Sequence, residues 1–130
     1  MILQTTLSLA AAAVLIHFWL FVRVTQRRFA AKAIHGDGGD EGLFRRIRAH
    51  ANFVENTPLF LILVGAIEMT GKGGTWLAVA GAVFMLARVA HAFGMDNPNP
   101  NVLRSGGMLV TLLLEIGLAV MALLIALGRF

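Results

Sequence analysis

The sequence predicts an all-α integral membrane protein, a bundle of four helices that each cross a bilayer. Three observations predict it. Hydrophobic residues fill 58% of the 130 positions and charged residues only 14%, against roughly 25% charged in a soluble domain. Mean hydropathy is +0.77. The apolar residues gather into four runs, each as long as the about 20 residues needed to cross hydrocarbon, with short polar breaks rich in glycine or proline between them. Residues 1–130 read as a single four-span membrane domain, with spans at about 2–28, 41–70, 75–95 and 102–127.

The first span begins with an uncharged run from Ile2 to Val22, and Arg23, Arg27, Arg28 and Lys32 then form a basic exit from the membrane. It lacks the basic leader and small-residue cleavage site of a signal peptide. His17 reads as a packed or hydrogen-bonded helix residue, since no other histidine shares its spacing. The stretch His35-Gly36-Asp37-Gly38-Gly39-Asp40 is a solvated turn. It has neither the glycine-lysine pattern of a phosphate loop nor the acid spacing of a calcium loop. Asp40 suits the N-cap of the next helix.

That second helix is expected from about Glu41 to Thr70 with Gly71 as its stop. About 30 residues at 1.5 Å each span roughly 45 Å, so one end protrudes from the hydrocarbon. The protruding end carries arginines. Pro58 leaves the Val54 carbonyl without its helical donor and should bend the helix beyond Glu55. Glu68, near the far interface, is expected to be simply solvated. Lys72-Gly73-Gly74 makes a tight turn into the third span, about Thr75 to Met95. The run Asp96-Asn97-Pro98-Asn99-Pro100-Asn101 ends that helix, and Arg104-Ser105-Gly106-Gly107 opens the fourth, which continues to about Leu127. Glu115 lies inside that span, paired with a neighbouring helix or hydrogen-bonded as the neutral acid.

The polar residues are not spread evenly. At 100° per residue, Arg45, Arg48, Asn52 and Glu55 fall within an arc of about 80° on the second helix. Ionisable groups entering a membrane are costly and usually face a bundle interior or a watery cavity. Two guanidiniums, an amide and a carboxylate on one stripe suit a small zwitterionic or anionic ligand. Arginine forks hold carboxylates, Glu55 takes an ammonium, and Asn52 serves a donor or an acceptor. The plainer reading is a basic interfacial collar in which Glu55 is salt-bridged. Arg88 and His91, with Met95 on the same face of the third helix, lie on the same membrane side, as do Arg104 and Ser105. Polar stripes from separate helices at one depth suggest a shared pocket. An arginine at a helix start is also unfavourable with the dipole, which favours a ligand role for Arg104.

Charge counting orients the bundle. Residues 23, 27, 28, 32, 45, 46, 48 and 104 are basic on one side, and only Lys72 and Arg129 on the other. The positive-inside rule then places both termini outside and the polar face toward the cytoplasm, in the cell inner membrane if the source is bacterial. The net charge of +4 is therefore a matter of orientation and anion attraction, and nucleic acid is not an expected partner. Without cysteine there is no disulfide, thiol nucleophile or thiolate metal site, and no metal is expected.

The block Arg48-Ala49-His50-Ala51-Asn52-Phe53-Val54-Glu55 followed by Pro58-Leu59, together with Arg88-Val89-Ala90-His91 and Leu103-Arg104-Ser105, resembles the signature of the MAPEG family (membrane-associated proteins in eicosanoid and glutathione metabolism). The resemblance covers nearly the whole chain, and the short loops look closest to the bacterial branch. It implies a homotrimer of four-helix protomers that binds glutathione at each subunit interface as cosubstrate. Arg48, Asn52 and Glu55 match the family's second-helix glutathione contacts, and Arg88 and His91 match third-helix positions near the ligand. Arg104 matches the arginine that stabilises the thiolate, with Ser105 as the adjacent serine. Arg23 matches a first-helix arginine that reaches the ligand from the neighbouring subunit. The implied activity is that of a glutathione transferase or peroxidase of detoxification, with a lipophilic electrophile or lipid hydroperoxide arriving through the membrane lipids. The chain departs from the family in having no tyrosine; Asn56 and Met95 stand where several members carry one.

Two other functions fit parts of the pattern. Four short spans with Glu55 and Glu115 suit a small proton-coupled membrane exporter, although its carboxylate would have to face both sides in turn and the polar residues here gather at one. A non-catalytic glutathione-binding membrane protein would keep the pocket without the tyrosine.

Overall fold

The computed structural model describes residues 2–130. Four helices account for most of the chain: α1 (Gln4–Ala31), α2 (Glu41–Met69), α3 (Thr75–Met95) and α4 (Val102–Ala126). All four are long and apolar enough to cross a membrane. They run up and down, so the bundle has a loop end, bearing residues 32–40 and 96–101, and a terminal end, bearing both chain termini and the turn at 70–74. Helices α2 and α3 occupy the centre. α1 packs on α2 and α3, α4 packs on the same two, and α1 does not meet α4.

Two helix starts have a local cause. Asp40 caps α2, its Oδ1 accepting from the Leu43 amide at 2.7 Å, and Asn101 caps α4 by accepting from the Arg104 amide at 3.0 Å. Both satisfy amides that a first turn otherwise leaves unpaired. α1 begins differently. Its N-cap position is Leu3, which makes no side-chain cap. Glu68, in the last turn of α2, supplies the acceptor instead, taking the Thr5 amide (2.7 Å), the Thr6 amide (2.7 Å) and the Thr6 hydroxyl (2.6 Å). The expectation of a merely solvated Glu68 is corrected here: a carboxylate across the bundle caps a helix whose own sequence cannot. α2 continues through Pro58 as one element, ending before Gly71, whose φ of 75° suits glycine.

The core is an apolar seam. Phe60 of α2 stacks on Phe84 of α3 with ring centroids 3.8 Å apart, and both are fully buried. Leu20, Val64, Ile67 and Leu77 are among the buried residues that extend it. Outside this seam the helices expose leucine, valine and phenylalanine, as a bilayer solvent allows. Half of α3's most apolar stretch is buried within the protomer but only 11% of α4's, so α4 presents most of its surface to lipid or to another subunit.

The α3–α4 contact is close because two glycines permit it. A Cβ on Gly94 would lie 2.2 Å from the Arg104 amide nitrogen, and one on Gly107 would lie 2.7 Å from the Ala87 carbonyl. The obstacle in each case is backbone, which does not yield as a side chain would. These two contacts set where the start of α4 stands against the end of α3, and so where Arg104 and Ser105 stand against His91.

Candidate functional site

At the loop end a cavity of about 530 Å³ opens between α2, α3 and α4, within the range of small-molecule sites. Arg48 and Asn52 come from α2, His91 from α3, and Arg104 and Ser105 from α4. Phe44, Met95 and Met108 form its apolar wall. Five of the eight residues expected at a site from sequence thus line one cavity.

The other three lie elsewhere. Arg88 is 1% exposed and sits behind the cavity wall. One of its guanidinium nitrogens donates to Asn52 Oδ1 and also meets His91 Nδ1 at 3.2 Å. The other donates to Thr111 Oγ1 at 2.9 Å and lies 3.8 Å from Met108 Sδ. Thr111 passes its own proton to the Gly107 carbonyl at 2.8 Å. A guanidinium can only donate. Arg88 therefore fixes Nδ1 of His91 as an acceptor, which places the ring proton of the neutral form on Nε2. It likewise fixes Asn52 with its oxygen inward, leaving the amide donors for the cavity. Arg88 ties α2, α3 and α4 together beneath the site and holds two of its walls.

This guanidinium is a buried cation with no carboxylate within ion-pair distance among the described residues, and its Nε has no hydrogen-bond partner. Glu115, one turn beyond Thr111 on α4, carries a buried Oε1 that is also unpartnered. Glu115 forms no ion pair among the described residues, so the pairing expected for it is not seen.

Glu55 is largely exposed on α2, and its carboxylate lies 3.8 Å from Arg48. Arg23 does not line the cavity. Its guanidinium pairs with Asp96 and lies over the rings of Trp19 and Phe93, 5.0 and 5.6 Å from their centroids, while its carbonyl accepts from Arg46 at 2.8 Å. The stripe of Arg45, Arg48, Asn52 and Glu55 accordingly divides. Arg48 and Asn52 face the cavity, Glu55 the protomer surface, and Arg45 a separate cleft with Arg46.

The cavity's charge balance favours an anion. Neither the Arg104 guanidinium nor the Ser105 hydroxyl has a hydrogen-bond partner among the described residues, and Arg48 has only the distant Glu55. Three or more histidine, cysteine, aspartate or glutamate side chains nowhere gather as metal ligands among the described residues. Sequence reading did not place Phe44, Met108 or Thr111. The last two stand four and seven positions after Arg104, on its helix face, so the spacing carried the signal. His17 does find another histidine: His50 Nε2 lies 3.0 Å from its Nδ1, a partner 33 residues away that spacing within one helix cannot reveal.

A model of the MAPEG family matches residues 6–124, a stretch that contains every residue named above for the cavity. The inner membrane protein YecN of Escherichia coli (strain K12) is 33% identical over 75 residues, which are 57% of this chain and 56% of the relative. A protein of the same name from Escherichia coli O6:H1 matches to the same extent. The chain therefore spans little more than half the length of the curated relatives it matches. No solved structure matches.

Proposed function

We propose, from the premise that this chain belongs to the MAPEG family, that it is a glutathione-dependent membrane transferase or peroxidase working as a homotrimer in the inner membrane. One observation carries the proposal: side chains from three helices, two of them arginines without close counter-ions, converge on one cavity at the loop end.

Glutathione offers two carboxylates, an ammonium and a thiol. Arg48 and the amide donors of Asn52 take the carboxylate end, and Glu55 takes the ammonium. Arg104 faces the sulfur, where a nearby cation favours thiolate over thiol, and the Ser105 hydroxyl donates to it. Arg88 acts from behind by holding Asn52 and His91. The thiolate attacks a carbon electrophile, forming the carbon–sulfur bond as the leaving group departs with the bonding pair and takes a proton. With a lipid hydroperoxide it attacks the terminal oxygen, releasing the alcohol after protonation and leaving a sulfenic acid. A second glutathione reduces this to the disulfide with loss of water. Leu109, Leu112 and Leu113, exposed on α4, give the lipophilic substrate a path from the bilayer.

The exposed Glu55 supports assembly. It stands fourteen residues from either end of α2 (41 to 55, 55 to 69), or roughly 21 Å along a helix of roughly 43 Å. That depth lies inside a hydrocarbon core of about 30 Å, where a largely exposed carboxylate with only Arg48 at 3.8 Å to answer it is costly. A neighbouring protomer covering this face shields it and closes the cavity, and Arg23 of that protomer becomes available to the ligand.

Glutathione added to the detergent-solubilised protein at neutral pH is expected to show thiolate ultraviolet absorbance. Arg104→Ala should abolish the absorbance while largely keeping binding. Undiminished thiolate in that variant would remove Arg104 from its role, and no binding by the wild type would remove the whole proposal. A second reading draws on the wall beside Arg104, which is made of the thioethers Met95 and Met108 with no phenol. In that reading the protein binds glutathione without turning it over, and full binding without turnover across a broad panel of electrophiles and hydroperoxides is its signature.

A further inference from the structure

A second polar depression at the loop end shares no lining residue with the cavity. It is a cleft of about 200 Å³ lined by Arg27, Gly42, Arg45, Arg46 and Asp96. Its cations outnumber the acids free to answer them. Asp40 is committed to Arg27, at 2.9 and 3.1 Å, and Asp96 to Arg23. Arg46 donates only to the Arg23 carbonyl. Arg45 reaches only Glu41, at 3.8 Å, and Glu41 is 88% exposed, so water screens that pair. Arg45 Nε is nonetheless buried with no hydrogen-bond partner. A buried guanidinium N–H without an acceptor is unfavourable, and its position beside two further guanidiniums makes the acceptor it calls for an anion.

The backbone leaves room for it. Gly42, in the first turn of α2, borders the cleft, while Asp40 already takes the Leu43 amide of that turn. A Cβ on Gly42 would lie 2.9 Å from the Arg27 guanidinium, so the absence of a side chain there lets Arg27 lie flat against that turn. The level is also informative. α1 has 28 residues, roughly 42 Å, while the hydrocarbon core takes about 30 Å. Arg27, four residues from its end, therefore stands at headgroup depth.

We infer that this cleft binds a phosphate group, presented by an anionic phospholipid headgroup or by a soluble phosphate ester. A carboxylate has two coplanar oxygens, which one arginine fork satisfies. A tetrahedral phosphate offers acceptors in several directions, matching guanidiniums that arrive from α1 and from two successive positions of α2. The volume accommodates such a group and lies below the about 300 Å³ at which pockets for larger small molecules begin. Arg27, Arg45 and Arg46, the part of the basic loop end that the proposed chemistry does not use, become a second anion site.

The test uses the full chain in two settings, with Arg45→Gln, Gly42→Ala and a control, Lys32→Gln, which removes the same charge as Arg45→Gln at the same end but outside the cleft. In detergent, thermal stability is titrated with inorganic phosphate against chloride at matched ionic strength. In phosphatidylcholine nanodiscs with and without phosphatidylglycerol, lipid retained by the protein is read by native mass spectrometry. Stabilisation specific to phosphate, weakened roughly tenfold or more by Arg45→Gln and by Gly42→Ala but not by Lys32→Gln, supports the site with a soluble ester as its source. Retained phosphatidylglycerol with the same dependence, and no response to inorganic phosphate, supports it with the headgroup as the source. Phosphate no better than chloride together with no preferential lipid retention overturns it, and so does an equal loss in Lys32→Gln and Arg45→Gln. None of these readouts involves glutathione, so failure here leaves the proposed enzyme function standing, and the reverse holds too.

Discussion

The two ends of the bundle contrast in how they treat polar groups. At the terminal end Glu68 spends both oxygens on the start of α1, Thr70 turns its hydroxyl onto the Ile67 carbonyl at 2.6 Å, and Trp76 donates to the Lys72 carbonyl while meeting Phe130 edge-on. Toward the loop end the accounts stay open. Arg23 Nη1, Arg45 Nε and Arg88 Nε are buried without partners, and Arg48 and Glu55 stand 3.8 Å apart. Helix packing alone asks for satisfied groups at both ends. The hydrogen bonds closed at the terminal end hold the helices together, although Thr57 Oγ1 and Glu115 Oε1, midway along α2 and α4, are also buried without partners. The cations left buried or unpaired at the loop end are where the proposed ligand would sit.

The sharpest way to break this contrast is Arg88→Met. It leaves Asn52, His91 and Thr111 without their shared donor, at a cost of about 3 kcal/mol, and it should lower the thermal midpoint and abolish glutathione binding together. Glu68→Ala sharpens the contrast from the other side. It should lower the thermal midpoint, by less than Arg88→Met, and leave glutathione affinity unchanged; a fall in affinity would mean that the ends are not independent. The smallest effect is expected from acid. The Arg27 guanidinium, with help from the Leu43 amide, holds the Asp40 carboxyl below the ordinary carboxylate range. A depressed value means that the stabilisation is full above the unfolded-state value of about 4 and is lost as pH falls through the lower folded value. Hydrogen exchange at the first turn of α2 should therefore rise below about pH 4, and Asp40→Asn should remove that dependence.

The spans and their turns were legible because each depends on neighbours in sequence: apolar runs of membrane length, Asp40 before α2, two prolines after α3. The gathering of Arg48, Asn52, His91, Arg104 and Ser105 was legible too, since helical spacing and a shared membrane side place them at one depth. What was hidden depends on how one helix is rotated against another. Arg88 shares a face with His91, yet only the tertiary packing makes one a support and the other a wall. Glu68 is 63 residues from the amide it caps, and Asp96 is 73 residues from Arg23. Gly94 and Gly107 look like ordinary small residues until α4 is seen to close on α3 through them.

Calorimetric titration of the detergent-solubilised protein with glutathione decides whether the unsatisfied loop end is a glutathione site. Wild type is predicted to bind, and Arg48→Ala to bind roughly tenfold more weakly or worse, as expected for one lost charge-assisted pair. No binding by the wild type, or equal affinity in Arg48→Ala, would contradict it.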